Sequence, residues 1–106
     1  MDQDKVFVAE AIRDTSNHTS AASHTGEFTA ETILVENGLN QTVTLQLQGC
    51  IPGESWFNVG STFQVTATTD DYETVTDYFP CYQIIASCAS SPTTGTLDVW
   101  VVKSRH

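Results

Sequence analysis

The sequence predicts an all-β protein, an antiparallel two-sheet β-sandwich of Ig-like or jelly-roll-like type with six to seven strands. Three observations predict it. Apolar residues alternate with Thr or Gln, most cleanly in QTVTLQLQG (41–49), where Val43, Leu45 and Leu47 share one face and Thr42, Thr44, Gln46 and Gln48 the other. Segments of this kind recur at even spacing between polar, turn-rich links. No stretch of useful length carries the period of an amphipathic helix. Two layers packed face to face are the simplest way for one-sided strands to bury their apolar surface.

Taken in order, KVFVAEAI (5–12) reads as a first strand, because Val6, Phe7 and Val8 favour extended backbone. RDTSNHTSAASHTG (13–26) is small, polar and turn-rich, and reads as a long mobile loop. GEFTAETILVE (26–36) is a second strand, with Phe28, Ala30 and Leu34 on one side and Ile33 and Val35 on the other. Asn37-Gly38 then signals a turn, since both residues tolerate positive φ. After 41–49, CIPGESWFNVG (50–60) breaks the pattern at Pro52-Gly53 and carries the pair Trp56-Phe57. STFQVTATT (61–69) is a further strand with Phe63, Val65 and Ala67 inward, and DDYETVTDYFP (70–80) reads as a turn and a short edge strand. The last two strands, from Cys81 and from Thr96 to about Lys103, read as a closing hairpin joined by ASSPTTG (89–95). With 106 residues, no internal repeat and no linker, one domain is expected over residues 1–106.

Net charge is -9, and the basic residues are Lys5, Arg13, Lys103 and Arg105 alone. Four cations near the two ends cannot neutralise a run of phosphates, so nucleic acid is excluded as a partner. An anionic membrane surface is disfavoured for the same reason. MDQDKVFVAE places acidic residues where a secretion signal carries positive charge, and no apolar run is long enough to cross a bilayer. The expectation is a product made and held in the cytosol.

Catalytic and metal chemistry find little support. Alternation along CYQIIASC points Cys81 and Cys88 to opposite faces, and no CxxC is present. Buried unpaired thiols come first, then one disulfide with Cys50–Cys88 as the preferred pair, then a metal site of Cys50, Cys88 and a histidine. His18 and His24 sit in the polar loop and His106 ends the chain, without a scaffold to orient them. Asp70, Asp71, Glu73 and Asp77 read as a solvated acidic rim, with calcium as the lesser alternative. No enzyme, cofactor or metal is expected.

Two surfaces remain. Along the last strand Leu97, Val99 and Val101 form one apolar line, while Asp98, Trp100 and Val102 form the other. Trp100 and Val102, with Ile33 and Val35, are therefore expected to meet another polypeptide, with burial of Trp100 inside the monomer under the 13–26 loop as the equal alternative. The alternative is a carbohydrate- or ligand-binding module, with Trp56, Phe57 and Tyr78 as an aromatic platform to which Tyr72 and Tyr82 can add.

ILVENGLNQTVTLQLQG, SWFNVGSTFQVTATT and YQIIASCASSPTTGTLDVWVVK together resemble small β-sandwich virion surface proteins of tailed bacterial and archaeal viruses. These are capsid decoration proteins, or Ig-like modules of the head or tail, and the resemblance spans about residues 28–103. It implies a non-enzymatic structural subunit of the virion, assembled in the host cytoplasm. Such a subunit docks on a capsid or tail lattice, often as a trimer, with Ile33, Val35, Trp100 and Val102 supplying apolar contacts.

Overall fold

The computed structural model describes residues 2–24, 30–50, 55–75 and 81–104. The strands are β1 (Asp2–Glu10), β2 (His18–Thr19), β3 (Ser23–His24), β4 (Ala30–Asn37), β5 (Val43–Cys50), β6 (Trp56–Asn58), β7 (Phe63–Val65), β8 (Thr69–Val75), β9 (Cys81–Ser87) and β10 (Leu97–Ser104). The first sheet runs β1-β10-β4-β8. The second runs β2-β9-β5-β6, with β3 beside β2 on β9 and β7 beside β6 on β5. Every ladder is antiparallel. Eight positions, four to a sheet and linked in this order, make a jelly roll. The expected two-layer sandwich is the observed fold. Ten strand segments arise among the described residues because each outer position of the second sheet is split into two short pieces.

The core follows from alternation. Val43, Leu45 and Leu47 of β5 and Tyr82, Ile84 and Ala86 of β9 meet Leu97, Val99 and Val101 of β10 across the sandwich, with Val6, Phe7 and Leu39 in the same cluster. Burying each large aliphatic side chain contributes about 1.5–3 kcal/mol. Val6 and Phe7 are buried although adjacent in sequence, because β1 shifts register against β10 between Lys5 and Phe7. Ile33 and Val35, expected at an interface with another polypeptide, are each 1% exposed and fill this core instead. They lie opposite Val101 and Val99 on a strand flanked on both sides, so their surface is spent inside the chain.

Four local expectations change. The turn expected at Asn37-Gly38 carries the chain from one sheet to the other, since β4 and β5 lie in different sheets, and it does so without positive φ at either residue. Asn37 is 1% exposed; its Nδ2 donates to the carbonyls of Val65 (3.0 Å), Gln41 (3.1 Å) and Thr66 (3.3 Å), and its Oδ1 accepts from the Leu39 N–H (3.1 Å). Gly38 is required by close approach, since a Cβ there would meet the Thr96 carbonyl oxygen at 2.8 Å. The chain returns to the first sheet through a turn at Thr66–Thr69, where the Thr66 carbonyl accepts from the Thr69 N–H (3.2 Å), earlier than the sequence placed it. Likewise β9 and β10 are not a hairpin, because each already has neighbours on both flanks within its own sheet. Finally, the expected loop 13–26 contributes β2 and β3 to the edge of β9. Between them the Ser20 N–H donates to the Ile84 carbonyl (2.8 Å) and the Ser20 Oγ accepts the Ile84 N–H (2.8 Å).

Cys50 pairs with Cys81, not with Cys88. Register decides it: Cys50 and Cys81 stand opposite each other on β5 and β9, with 5.4 Å between Cα atoms. Cys88 lies past the other end of β9 and is buried in the core.

Two stability outcomes follow. Asn37→Ala removes a partner from the buried Val65 carbonyl and Leu39 N–H and from the partly buried Gln41 and Thr66 carbonyls, and the expected loss is on the order of 2–3 kcal/mol in chemical denaturation. Cys50→Ser with Cys81→Ser opens a loop of sequence separation 31. The expected cost is about 3–4 kcal/mol, read as a lowered denaturation midpoint that added reductant does not lower further.

Candidate functional site

The outer face of the first sheet is built by the residues that alternation turns away from the core: Asp98, Trp100 and Val102 on β10, Leu34 and Glu36 on β4, Asp70 and Tyr72 on β8. Register lines Lys5, Trp100, Leu34 and Tyr72 into one row across all four strands. Asp98, Glu36 and Asp70 form the adjacent row. At about 4.8 Å between strands the aromatic row is about 14 Å long. A depression of about 620 Å³ lies over it, lined by Leu34, Glu36, Asp70, Asp71, Tyr72 and Trp100. That volume is in the range of small-molecule sites. Leu34 is 39% and Tyr72 64% exposed, and Trp100 is half-buried.

Lys5 fixes one end of the row. Its Nζ lies 4.7 Å from the centre of the Trp100 ring and 2.9 Å from Asp98 Oδ1. The Ala9 N–H donates to the same carboxylate oxygen at 2.8 Å, where β1 is irregular and Ala9 takes φ 47°. Burial raises the Asp98 pKa, but the hydrogen bonds from Lys5 and Ala9 and the lysine charge outweigh it and hold the carboxyl below its ordinary value. At the other end β8 is an edge strand. Asp70, Asp71 and Glu73 along it discourage pairing with another strand. The result is a flat apolar strip with carboxylates on one side. Chemically, it can stack the C–H face of a ring and accept hydrogen bonds from its hydroxyls.

Trp56 and Phe57, anticipated as one platform, do not share a face. Trp56 and Phe57 are consecutive on β6 and stand opposite Cys50 and Gly49, so they point to opposite faces. Tyr78 lies outside the described residues, and Tyr82 is buried in the core. Of the aromatics anticipated for a ligand platform, Tyr72 is the one that joins Trp100. Val102 stays on the outer face of β10, half-buried. Sequence reading missed Leu34 and Tyr72 as Trp100's companions, because strand order, which sets them side by side, is not written in local alternation.

Around His18 the composition suggests catalysis and the geometry does not. Asp14 Oδ1 accepts from Ser16 Oγ (2.8 Å) and lies 2.8 Å from His18 Nε2, while Glu10 Oε1 is 3.7 Å from His18 Nδ1. The hydrogen bonds from His18 and Ser16 hold the Asp14 carboxyl below its ordinary value. Asp14 holds the same imidazole nitrogen that Ser16 Oγ approaches only to 3.5 Å, so these three side chains are not placed as a serine–imidazole–carboxylate relay. The trio fastens the start of the segment leading to β2. Among the described residues no group of three or more His, Cys, Asp or Glu is placed to hold a metal ion. Burial pushes the Cys88 thiol pKa up, which suits a packing role.

No protein-family model matches the sequence. No curated protein matches it significantly. Among solved structures, the chain is similar to the crystal structure of PirA, with a TM-score of 0.60 and 14% identity over 94% of this chain and 93% of that one. At this identity the likeness shows the fold alone. The likeness is to PirA rather than to a virion surface protein, and it overturns the resemblance to virion surface proteins together with the capsid-decoration or head/tail role it implied. The residues behind that resemblance were alternating strands and a Gly-ended link. Any small sandwich needs those features, so they do not distinguish one family from another.

Acid tests the Lys5 anchor. Since the folded Asp98 carboxyl lies below its ordinary value, the anchor is complete above the ordinary carboxylate range and is lost as pH falls through the lowered value. In a Trp56→Phe background, Trp100 emission is expected to change in that acid window, and Asp98→Asn is expected to abolish the transition.

Proposed function

We propose that the chain is a non-catalytic, ligand-binding β-sandwich module whose ligand is a carbohydrate held in the Trp100–Tyr72 groove. The single observation that carries this reading is the registered row Trp100, Leu34 and Tyr72 beside Glu36 and Asp70. Sugar rings offer flat apolar faces to aromatic side chains and hydroxyl donors to carboxylates, and both elements are present on one rigid sheet. Jelly rolls include lectin domains, which makes the fold compatible with this role without establishing it. The Cys50–Cys81 disulfide supports a working environment outside the reducing cytosol.

Trp100→Ala and Tyr72→Ala are each expected to weaken oligosaccharide binding about 30-fold, measured by titration calorimetry, with the thermal midpoint little changed. Affinity and stoichiometry that both stay unchanged when the two substitutions are combined overturn the groove assignment. A second reading keeps the expected homo-oligomer, a trimer, with Leu34, Trp100 and Val102 as its apolar contact. Light scattering separates the two readings: self-association that Trp100→Ala abolishes, without glycan binding, favours the second.

A further inference from the structure

On the opposite side of the molecule, the outer face of the second sheet has a different chemistry. Alternation turns Thr44, Gln46 and Gln48 of β5 and Gln83, Ile85 and Ser87 of β9 outward, and each is half-buried. A depression of about 440 Å³ crosses β2, β9, β5 and β6 over this surface. Not one side chain lining it is charged, in a protein with thirteen acidic and four basic residues.

The amides on this face are ordered rather than loose. Gln83 Nε2 donates to Gln48 Oε1 (2.8 Å), and Gln48 Nε2 donates to Asn58 Oδ1 (3.0 Å), a relay across three strands. Gln46 Nε2 reaches the carbonyls of Leu47 (2.9 Å) and Val59 (3.3 Å), and Gln64 Nε2 reaches Thr44 Oγ1 (3.3 Å). The relay runs in one direction, so it leaves an amide NH₂ at the Asn58 end and an amide oxygen at the Gln83 end. Donor and acceptor are thus held at fixed separation, with Ile85 as an apolar spot between rows of hydroxyls and amides. At the end of the same face Trp56 stands opposite Cys50, which is bonded to Cys81 in the next strand.

We infer that this face is a second, separate saccharide site, specific for an uncharged glycan. Charge decides the occupant. An anionic ligand is repelled by a chain of net charge -9, and a cationic one finds no counter-charge among the lining residues. A neutral polyhydroxylated ligand matches preorganised amides and hydroxyls that both donate and accept. The assignment stands apart from the aromatic groove, which uses carboxylates on the other sheet. With both sites filled, one chain bridges two glycan segments and gains affinity for dense glycan surfaces through effective concentration.

The experiment uses an array of neutral oligosaccharides, followed by calorimetric titration of the strongest binder. Four proteins are compared: the unaltered chain, a Trp100→Ala/Tyr72→Ala groove variant, and that variant with either Ile85→Arg or Gln83→Ala added. The groove variant is expected to keep one saturable site, which each added substitution weakens at least tenfold. Circular dichroism melts confirm that each variant folds, and Gln83→Ala, the milder change, serves if Ile85→Arg does not. A groove variant that binds nothing overturns this inference and leaves the groove reading intact. Residual binding that neither added substitution alters overturns it too. Loss of all binding in the unaltered chain sinks both readings. Binding that depends on Gln83 and Ile85 but not on Trp100 or Tyr72 sustains the second site and removes the first.

Discussion

The carboxamide of Asn37 is the constraint on which the rest of the sandwich depends. It sits buried where β4 leaves one sheet for the other, and one donor group serves carbonyls from the β4–β5 link, from β7 and from the turn that follows. Without it, the Val65 carbonyl and the Leu39 N–H would lose a buried partner, at a cost of about 1–3 kcal/mol for each group left unpaired. Immediately beyond, Gly38 and Gly95 bring the same crossing against the β9–β10 link. Gly95 has φ +87° and a Cβ there would strike the Gly38 carbonyl, while the Gly38 N–H bonds the Thr96 carbonyl at 2.9 Å. Asn40 and Thr93 add a reciprocal pair of hydrogen bonds at 2.7 and 2.9 Å. Three crossings are thereby fastened at one end of the molecule.

With that end fixed, alternation does the remainder. Each central strand gives one set of side chains to the core and the other to a face, so the chemistry of the two faces is set by what the strands carry between their aliphatic residues. On β10 and β4 that set includes Trp100, Leu34 and Glu36. On β5 and β9 it is chiefly glutamine, threonine and serine. The functional reading therefore rests on rigid sheet positions rather than on loops, and the geometry of each face follows from register.

Much of this was legible in the sequence. The inward lines Val43-Leu45-Leu47 and Leu97-Val99-Val101 are where alternation put them, and so are the opposed orientations of Cys81 and Cys88. What could not be read was anything set by strand order. Asn37-Gly38 looks the same whether the chain turns within a sheet or crosses to its partner. Cys50 finds Cys81 through the β5–β9 register, which no local spacing encodes. Ile33 and Val35 looked like surplus apolar surface only because the sheet that would cover them could not be placed. The Trp100 groove was half visible: the outward indole was evident, but Leu34 and Tyr72 reach it from strands that are its neighbours in space and not in sequence.

The cross-strand disulfide has a topological consequence. Cys50 and Cys81 enclose β6, β7 and β8, so the strand that carries Tyr72 lies inside a covalent ring. A single protease cut anywhere in that ring leaves both fragments tethered, with β8 still attached through the bond between β5 and β9. Clipped and intact molecules then keep the same mass, apart from one water, until a reductant separates them.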